Sequence, residues 1–266
     1  MSQAGLNVDP AGELGRSVVR ERIVRSRRWP VNAALVLLSC AARPGTSYHR
    51  HISVPKITPM RLLLVPEPLA NPHLTWEIKL DGFRALAFIE NGRCTFVSRN
   101  GHTFKSWPSL CGQLLKAVRC RDAIVDGEIV CLGADGRANF RNLLFRRQPP
   151  HFVPFDLLGC DGQDLTQLPL VERKARLRRI VLGSGPVMFV DGIRGRGDDL
   201  FREVCRLDIE GIVGKHVAGT YCTDGRATSW VKVKNPTYSL MERRAEMFEQ
   251  RGPKPRSAGR LVLELV

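Results

Sequence analysis

Lys79 stands in the run Lys79-Leu80-Asp81-Gly82-Phe83-Arg84, at the end of a short β-rich segment that begins at Trp76. A primary amine is a nucleophile once it sheds its proton, and nearby carboxylates can hold a cation or take that proton. Side chains two apart on a strand share a face, so Glu77, Lys79 and Asp81 are expected to project together. Taken alone, the same cluster is the composition of a solvated strand face. A second run, Val125-Asp126-Gly127-Glu128-Ile129-Val130, embeds two acids in an otherwise apolar strand. Buried carboxylates are costly unless paired or bound to a metal, which favours a chemical role, although Gly127 could equally mark a bulge.

Three further runs carry candidates. Pro154-Phe155-Asp156-Leu157-Leu158 is an apolar strand with one acid, and its Phe alone reads as core. Glu210-Gly211-Ile212-Val213-Gly214-Lys215 places an acid and a lysine at the two ends of an apolar stretch. In Trp230-Val231-Lys232-Val233-Lys234 the lysines share one face and the valines the other, as in a half-buried strand with a cationic side. Edge-strand lysines that discourage aggregation give the same pattern.

These residues need elements to position them. Strands are expected at Trp76–Leu80, Arg84–Ile89 and Arg93–Ser98, forming an antiparallel meander with a hairpin turn at Asn91-Gly92. More are expected at Ala123–Cys131, Phe152–Leu158, Val187–Val190, Glu210–Lys215 and Trp230–Lys234. Helical periodicity marks Leu110–Val118, Leu170–Val181 and Asp199–Leu207, the last with Asp198 as N-cap. The class is α+β with at least two sheets.

The 266 residues suffice for one or two domains. A formal charge of +15 and 43% hydrophobic composition describe a chain that buries a core and is drawn to polyanions, nucleic acid first. Eight cysteines without a C-x-x-C pair exclude a zinc ribbon and argue for a reduced compartment, so a cytoplasmic, nucleoid-associated location is expected. Residues 1–58 hold nine Lys and Arg against three acids, a net of +6 that leaves +9 for residues 59–266. They are expected to form a poorly structured basic extension, with Met60 as an alternative translation start. The apolar run Val31–Ala42, which follows an Arg-rich stretch, has a faintly signal-like look but is too short for a bilayer, which needs ~20 residues. No membrane association is expected.

In order, K-x-D-G-x-R, D-G-E, F-D-L-L, E-G-I-V-x-K and W-x-K-x-K resemble the nucleotidyltransferase motifs of ATP-dependent DNA ligases, and Ser98-Arg99-Asn100-Gly101 resembles the segment that follows the nucleophile in bacterial end-joining ligases. The likeness covers roughly Pro59 to Asn235. It implies an ATP-grasp-like nucleotidyltransferase fold with antiparallel sheets flanked by helices, over residues 59–235. It implies Lys79 as nucleophile on the α-phosphorus of ATP, its amine deprotonated with help from Mg²⁺, Lys232 and Lys234. By the same resemblance Glu128 and Glu210 hold Mg²⁺ or Mn²⁺, Phe155 stacks on adenine, Glu77 meets its exocyclic amine and Arg84 lies near the ribose. Lys215, Lys232 and Lys234 reach the phosphates, Arg99 meets the 5′-phosphate of a DNA nick, and Asp81 belongs to the site without an assigned contact. The implied function is nick sealing in DNA repair and recombination.

Such ligases follow the lysine strand with an OB-fold domain. The 32 residues after Lys234 are too few for one, and residues 236–266 are expected to form a helix at Met241–Gln250 and a tail. No OB-fold domain is therefore expected within this chain, and one could act in trans, as could an end-joining protein. RNA ligases and capping nucleotidyltransferases share the lysine and the carboxylates, and a non-catalytic DNA-binding relative would keep the scaffold, so both readings stay open beside the first.

Overall fold

A largely apolar run over Phe83–Glu90 and the run Arg93–Ser98, joined by Asn91 (φ 51°) and Gly92 (φ 70°), close the hairpin that the sequence predicts. Both turn residues are left-handed, as a two-residue primed turn requires. The computed structural model describes residues 57–183 and 185–240. The expected extension, apart from Ile57 and Thr58, and the expected helix at Met241–Gln250 lie outside the described residues.

In chain order the elements are β1 (Leu63–Leu64), β2 (Leu74–Ile78), β3 (Phe83–Glu90), β4 (Arg93–Ser98), α1 (Pro108–Ala117), β5 (Ala123–Val130), α2 (Phe140–Leu144), β6 (His151–Cys160), β7 (Gln163–Asp164), α3 (Leu170–Ile180), β8 (Ile193–Arg194), α4 (Gly197–Arg206), β9 (Gly211–His216) and β10 (Trp230–Lys234). Among the described residues they make two five-stranded sheets, ordered β4-β3-β5-β6-β7 and β1-β10-β9-β2-β8. All pairs are antiparallel except β1 with β10. No described helix is long and apolar enough to cross a membrane.

Among the described residues, three apolar clusters hold these layers. The largest joins one face of the first sheet (Ala85, Ala87, Val125, Ile129) to Leu110 and Leu114 of α1, Phe140 and Leu143 of α2, and Leu177 of α3. The second lies between the sheets, where Leu86 and Leu158 meet Trp230, Tyr221 and Met60. The third packs Val204 of α4 under Trp76, Ile212 and Val233. The strands therefore turn one face to helices and the other toward a cleft between the sheets.

Several expectations need correction. The expected meander is broken: β2 leaves β3 and pairs with β9 in the other sheet. The chain crosses at Gly82, where a Cβ would run into the Ile129 carbonyl, so only glycine allows so close an approach to β5. Val187–Val190 forms no strand, only an isolated parallel bridge from Val187 to Phe152. Helix α4 begins two residues before the expected Asp199, with Arg196 rather than Asp198 at its N-cap and no side-chain cap. Gly197 lies flat against Trp76, whose indole ring would stand only 2.6 Å from a Cβ at that position.

Candidate active site

Strand β2 ends at Ile78 because the chain must turn toward the other sheet, but the Lys79 amide still donates to the Gly211 carbonyl at 2.8 Å. This keeps Lys79 beside the start of β9. Its Nζ donates to Glu210 Oε2 at 2.5 Å across 131 residues of sequence. Glu128, on β5, lies opposite Arg84 of β3 and within electrostatic reach of Lys79 and Glu210. Burial, reinforced by the neighbouring charges of Glu210 and Asp126 and opposed by Lys79 and Arg84, moves its carboxyl from the usual 4.5 to about 8.

Strand β2 ends ahead of both Lys79 and Asp81, so the strand alternation expected to carry through Glu77, Lys79 and Asp81 stops short of the last two. Asp81 is buried, and its Oδ2 accepts from the Tyr238 hydroxyl at 3.1 Å. It lines a neighbouring cleft with Tyr238, Arg137 and Asp208, and Ile78, Lys79 and Leu80 form the wall between that cleft and a second one.

That second cleft is lined by Glu77, Lys79, Arg84, Glu128, Phe155, Lys215 and Trp230. Glu77 is buried under two ammonium groups, with Lys174 Nζ at 2.6 Å and Lys215 Nζ at 2.7 Å. Burial pushes its carboxyl up, but the two lysines outweigh this and hold it below the ordinary value. Lys215 is drawn down to about 8, chiefly by its own burial and further by Lys174, against the pull of Glu77. Its Nζ sits 4.1 Å from the centroid of Phe155 and 4.3 Å from that of Trp230. These rings meet edge-on at 74° and offer the aromatic surface that a purine or a cation can use.

Arg84 is fixed from three sides. It makes paired bonds to Asp126 (3.0 and 2.6 Å), donates to the Met60 carbonyl at 2.5 Å, and lies over Phe155 and Trp230 at 5.5 and 5.4 Å. The Tyr221 hydroxyl donates to the same Asp126 at 2.6 Å.

A cationic rim continues outward. Lys232 shares its strand face with Trp230 and Lys234, and burial together with Lys79, Lys234 and Arg99 lowers its pKa. Arg99, just past β4 and open to solvent on one side, is lowered by partial burial beside Arg84 and Arg61. Lys234 is exposed at the end of β10, so Lys215 alone among the three expected phosphate lysines lines the cleft. Like charges held this close favour an anion among them.

Sequence reasoning did not single out Lys174, which sits among five Lys and Arg on α3. Nor did it find the partner of Asp156. Arg173, fully buried on the same helix, makes bonds of 2.8 Å to both Asp156 oxygens and thereby fixes α3 to β6 behind Phe155. Asp126 was visible as an embedded acid, but its task of holding Arg84 was not.

Glu128 and Glu210 form an oxygen-only donor set, and a buried carboxyl held largely protonated near neutral pH is one that a hard dication would convert to carboxylate. The residues fit Mg²⁺ or Mn²⁺.

Residues 65–234 match the family model described as ATP dependent DNA ligase domain. Over 227 residues the chain is 31% identical to the multifunctional non-homologous end joining protein LigD of Pseudomonas aeruginosa, a match covering 82% of this chain and 26% of that protein. It is 31% identical over 183 residues to a DNA ligase of Pyrobaculum calidifontis, covering 62% of this chain and 31% of the relative. The chain thus spans only about a quarter to a third of either protein. The structure of a mycobacterial DNA ligase D complexed with ATP and MES superposes with a TM-score of 0.58 at 24% identity, covering 67% of this chain and 60% of that one, and is similar in fold.

Proposed function

Since this chain belongs to the ATP-dependent DNA ligase domain family, we propose that it forms a covalent lysyl-AMP at Lys79 and passes the AMP to the 5′-phosphate of nicked duplex DNA. The observation that carries the reading is the convergence on one amine of two carboxylates and an aromatic, cation-rimmed cleft.

In the first step Lys79 Nζ forms a bond to the α-phosphorus of ATP as the bond to the bridging oxygen breaks, and pyrophosphate leaves. One proton leaves the amine, with Glu210 Oε2 the base in reach. In the second, an oxygen of the DNA 5′-phosphate takes the AMP and the amine regains a proton. In the third, the 3′-hydroxyl attacks that activated phosphate, AMP leaves and the strand is closed. Glu128 and Glu210 would hold a Mg²⁺ or Mn²⁺ ion, which supplies charge neutralisation and favours the neutral amine. Phosphoryl transfer is mostly positioning and charge stabilisation, and the remaining residues supply these. Phe155 and Trp230 give the base its aromatic wall, and Glu77, held ionised by Lys174 and Lys215, is an acceptor for an exocyclic amine. Arg84 is on the sugar side and Lys215 on the phosphates, with Lys232 and Lys234 adding to their field from outside the cleft, and Arg99 at the rim meets the DNA phosphate. Asp81, bonded to Tyr238, shapes the loop that carries Lys79.

We assign the protein to DNA repair and recombination by end joining in the cytoplasm, with an end-joining protein as its partner. Incubation with α-labelled ATP and Mg²⁺ tests the reading. Covalent label on the wild-type chain and none on Lys79→Ala is the expected result. Lys79→Arg is also expected to stay unlabelled, because a guanidinium does not deprotonate in proteins. Label retained by Lys79→Ala would overturn the assignment. Transfer from GTP in preference to ATP would move it to a capping-type nucleotidyltransferase.

A further inference from the structure

Far along the chain from the lysine motif, the fold brings together three groups that sequence spacing keeps apart. Cys160 closes β6 and pairs in register with Ala123, the first residue of β5. Cys120 lies three residues before Ala123, in the segment that leaves α1. The thiols of Cys120 and Cys160 and a carboxylate oxygen of Asp161 all lie within 4.8 Å of one another. Asp161 is already oriented: its Oδ1 accepts from the amides of Arg121 at 2.9 Å and Asp122 at 3.3 Å, and its own amide donates to the Asp122 carbonyl at 2.8 Å. Both cysteines are half-buried and neither is in a disulfide.

We propose that Cys120, Cys160 and Asp161 form a binding site for a thiophilic divalent cation, Zn²⁺ by preference, with three protein ligands and water in the fourth position. Two sulfurs and one oxygen at these separations match a tetrahedral zinc centre, in which three protein ligands leave one place open. Thiolates exclude Mg²⁺, which takes oxygen ligands, so the site is chemically separate from the carboxylate pair at Lys79. The backbone bonds that hold Asp161 are the outer contacts that keep a ligand aimed. Asp122, whose amide is bonded to Asp161, adds a second negative charge beside the thiols. The same negative surroundings favour a dication. On binding, each thiol gives up its proton as its sulfur forms the metal bond, and two protons pass to solvent. Arg176 near Cys160 and Arg121, which pairs with Asp122, are the resident cations that the ion would meet. The ion would tie the segment after α1 to the turn between β6 and β7, at the end of the strand that carries Phe155.

The full chain, stripped with a chelator and kept reduced, is titrated with Zn²⁺ alone and with Co²⁺ alone. The expected result is about one equivalent bound, with a near-ultraviolet thiolate-to-cobalt band that Zn²⁺ erases and excess Mg²⁺ does not. Cys120→Ser, Cys160→Ser and Asp161→Asn should each weaken binding at least ~10-fold, while Cys94→Ser and Cys222→Ser leave it unchanged. Should a serine variant fail to fold, the wild-type cobalt spectrum and Asp161→Asn still decide. Absence of the band, or a band unaffected by Cys120→Ser and Asp161→Asn, overturns the site. Mass mapping that finds Cys120 and Cys160 joined as a disulfide in the untreated protein overturns it as well. None of these readouts uses nucleotide, so they stand or fall apart from the activity at Lys79.

Discussion

A carboxyl displaced upward and an ammonium displaced downward within one cleft divide the pH scale between them. Glu128 is protonated in the folded chain up to about 8 but ionises near 4.5 when unfolded. The folded state therefore binds the extra proton between those values, and stability falls as pH rises from 4.5 to 8. Lys215 does the reverse: it is neutral when folded above about 8 yet charged when unfolded up to 10.5, so its contribution recovers as pH climbs through that window. Denaturation midpoints of metal-free protein should decline across the lower range, and Glu128→Gln should flatten that decline while leaving the upper range alone. A decline that survives Glu128→Gln would assign it to another group. Arg99 makes a separate prediction, because its charge sits at the rim beside Arg84 and Arg61 rather than at the lysine. Arg99→Ala should slow AMP transfer to nicked DNA by an order of magnitude or more, in keeping with loss of about 1.5–3 kcal/mol for a charged hydrogen bond, with self-labelling from ATP nearly unchanged. Single-turnover rates for the two steps separate them, and equal losses would place Arg99 in the nucleotide site.

Among the elements, β5 shows how a motif glycine serves packing. A Cβ on Gly127 would collide with the Phe152 ring and come within 2.8 Å of the Val153 carbonyl, at the point where the pairing with β6 shifts register. Gly127→Ala should cost about 1–3 kcal/mol through overpacking, read as a lower urea midpoint with an unchanged slope. Because Asp126 and Glu128 flank this glycine, labelling should fall with it. The strands themselves were legible in the sequence because alternation is local: Arg93–Ser98 and Trp230–Lys234 fall where the pattern puts them. Sheet membership was not. Whether β2 pairs with β3 or with β9 depends on the crossing at Gly82, a contact between residues almost fifty positions apart. Lys174 was hidden for the opposite reason, since α3 is so rich in Lys and Arg that no one of them stands out until Glu77 is seen beneath it. The motif residues could be read because their chemistry is odd for their surroundings, as acids in apolar strands are. Arg173 could not, because a buried arginine looks the same in sequence as an exposed one until its acid is located.

For the molecule as a whole, charge sets the encounter with substrate. With +15 on the chain, and Arg61, Arg99 and Lys232 gathered at one rim, binding to nicked duplex should be governed by phosphate contacts. The logarithm of affinity should fall with that of salt by about 0.9 for each contact, with little regard to base sequence. Titrations of a labelled nick at several salt concentrations measure the slope, and a flat line would remove DNA as the ligand. The order of strands carries a different kind of consequence, one about time. The sheet β4-β3-β5-β6-β7 is woven from the unbroken stretch 83–164, whereas β1-β10-β9-β2-β8 joins residues 63–78 to residues 193–234. As the chain leaves the ribosome, the first sheet has all its strands long before the second has its middle, and the second must wait through the costly closure of a long loop. Lys79 is made early but has no Glu210 and no Lys215 to meet until the last strands emerge. A nascent chain halted before α4 would therefore carry the nucleophile at the end of a strand still without its β9 partner, and one of the two carboxylates, Glu128, on a formed sheet, while remaining inert, so that reactivity toward nucleotide arrives with the completion of the domain.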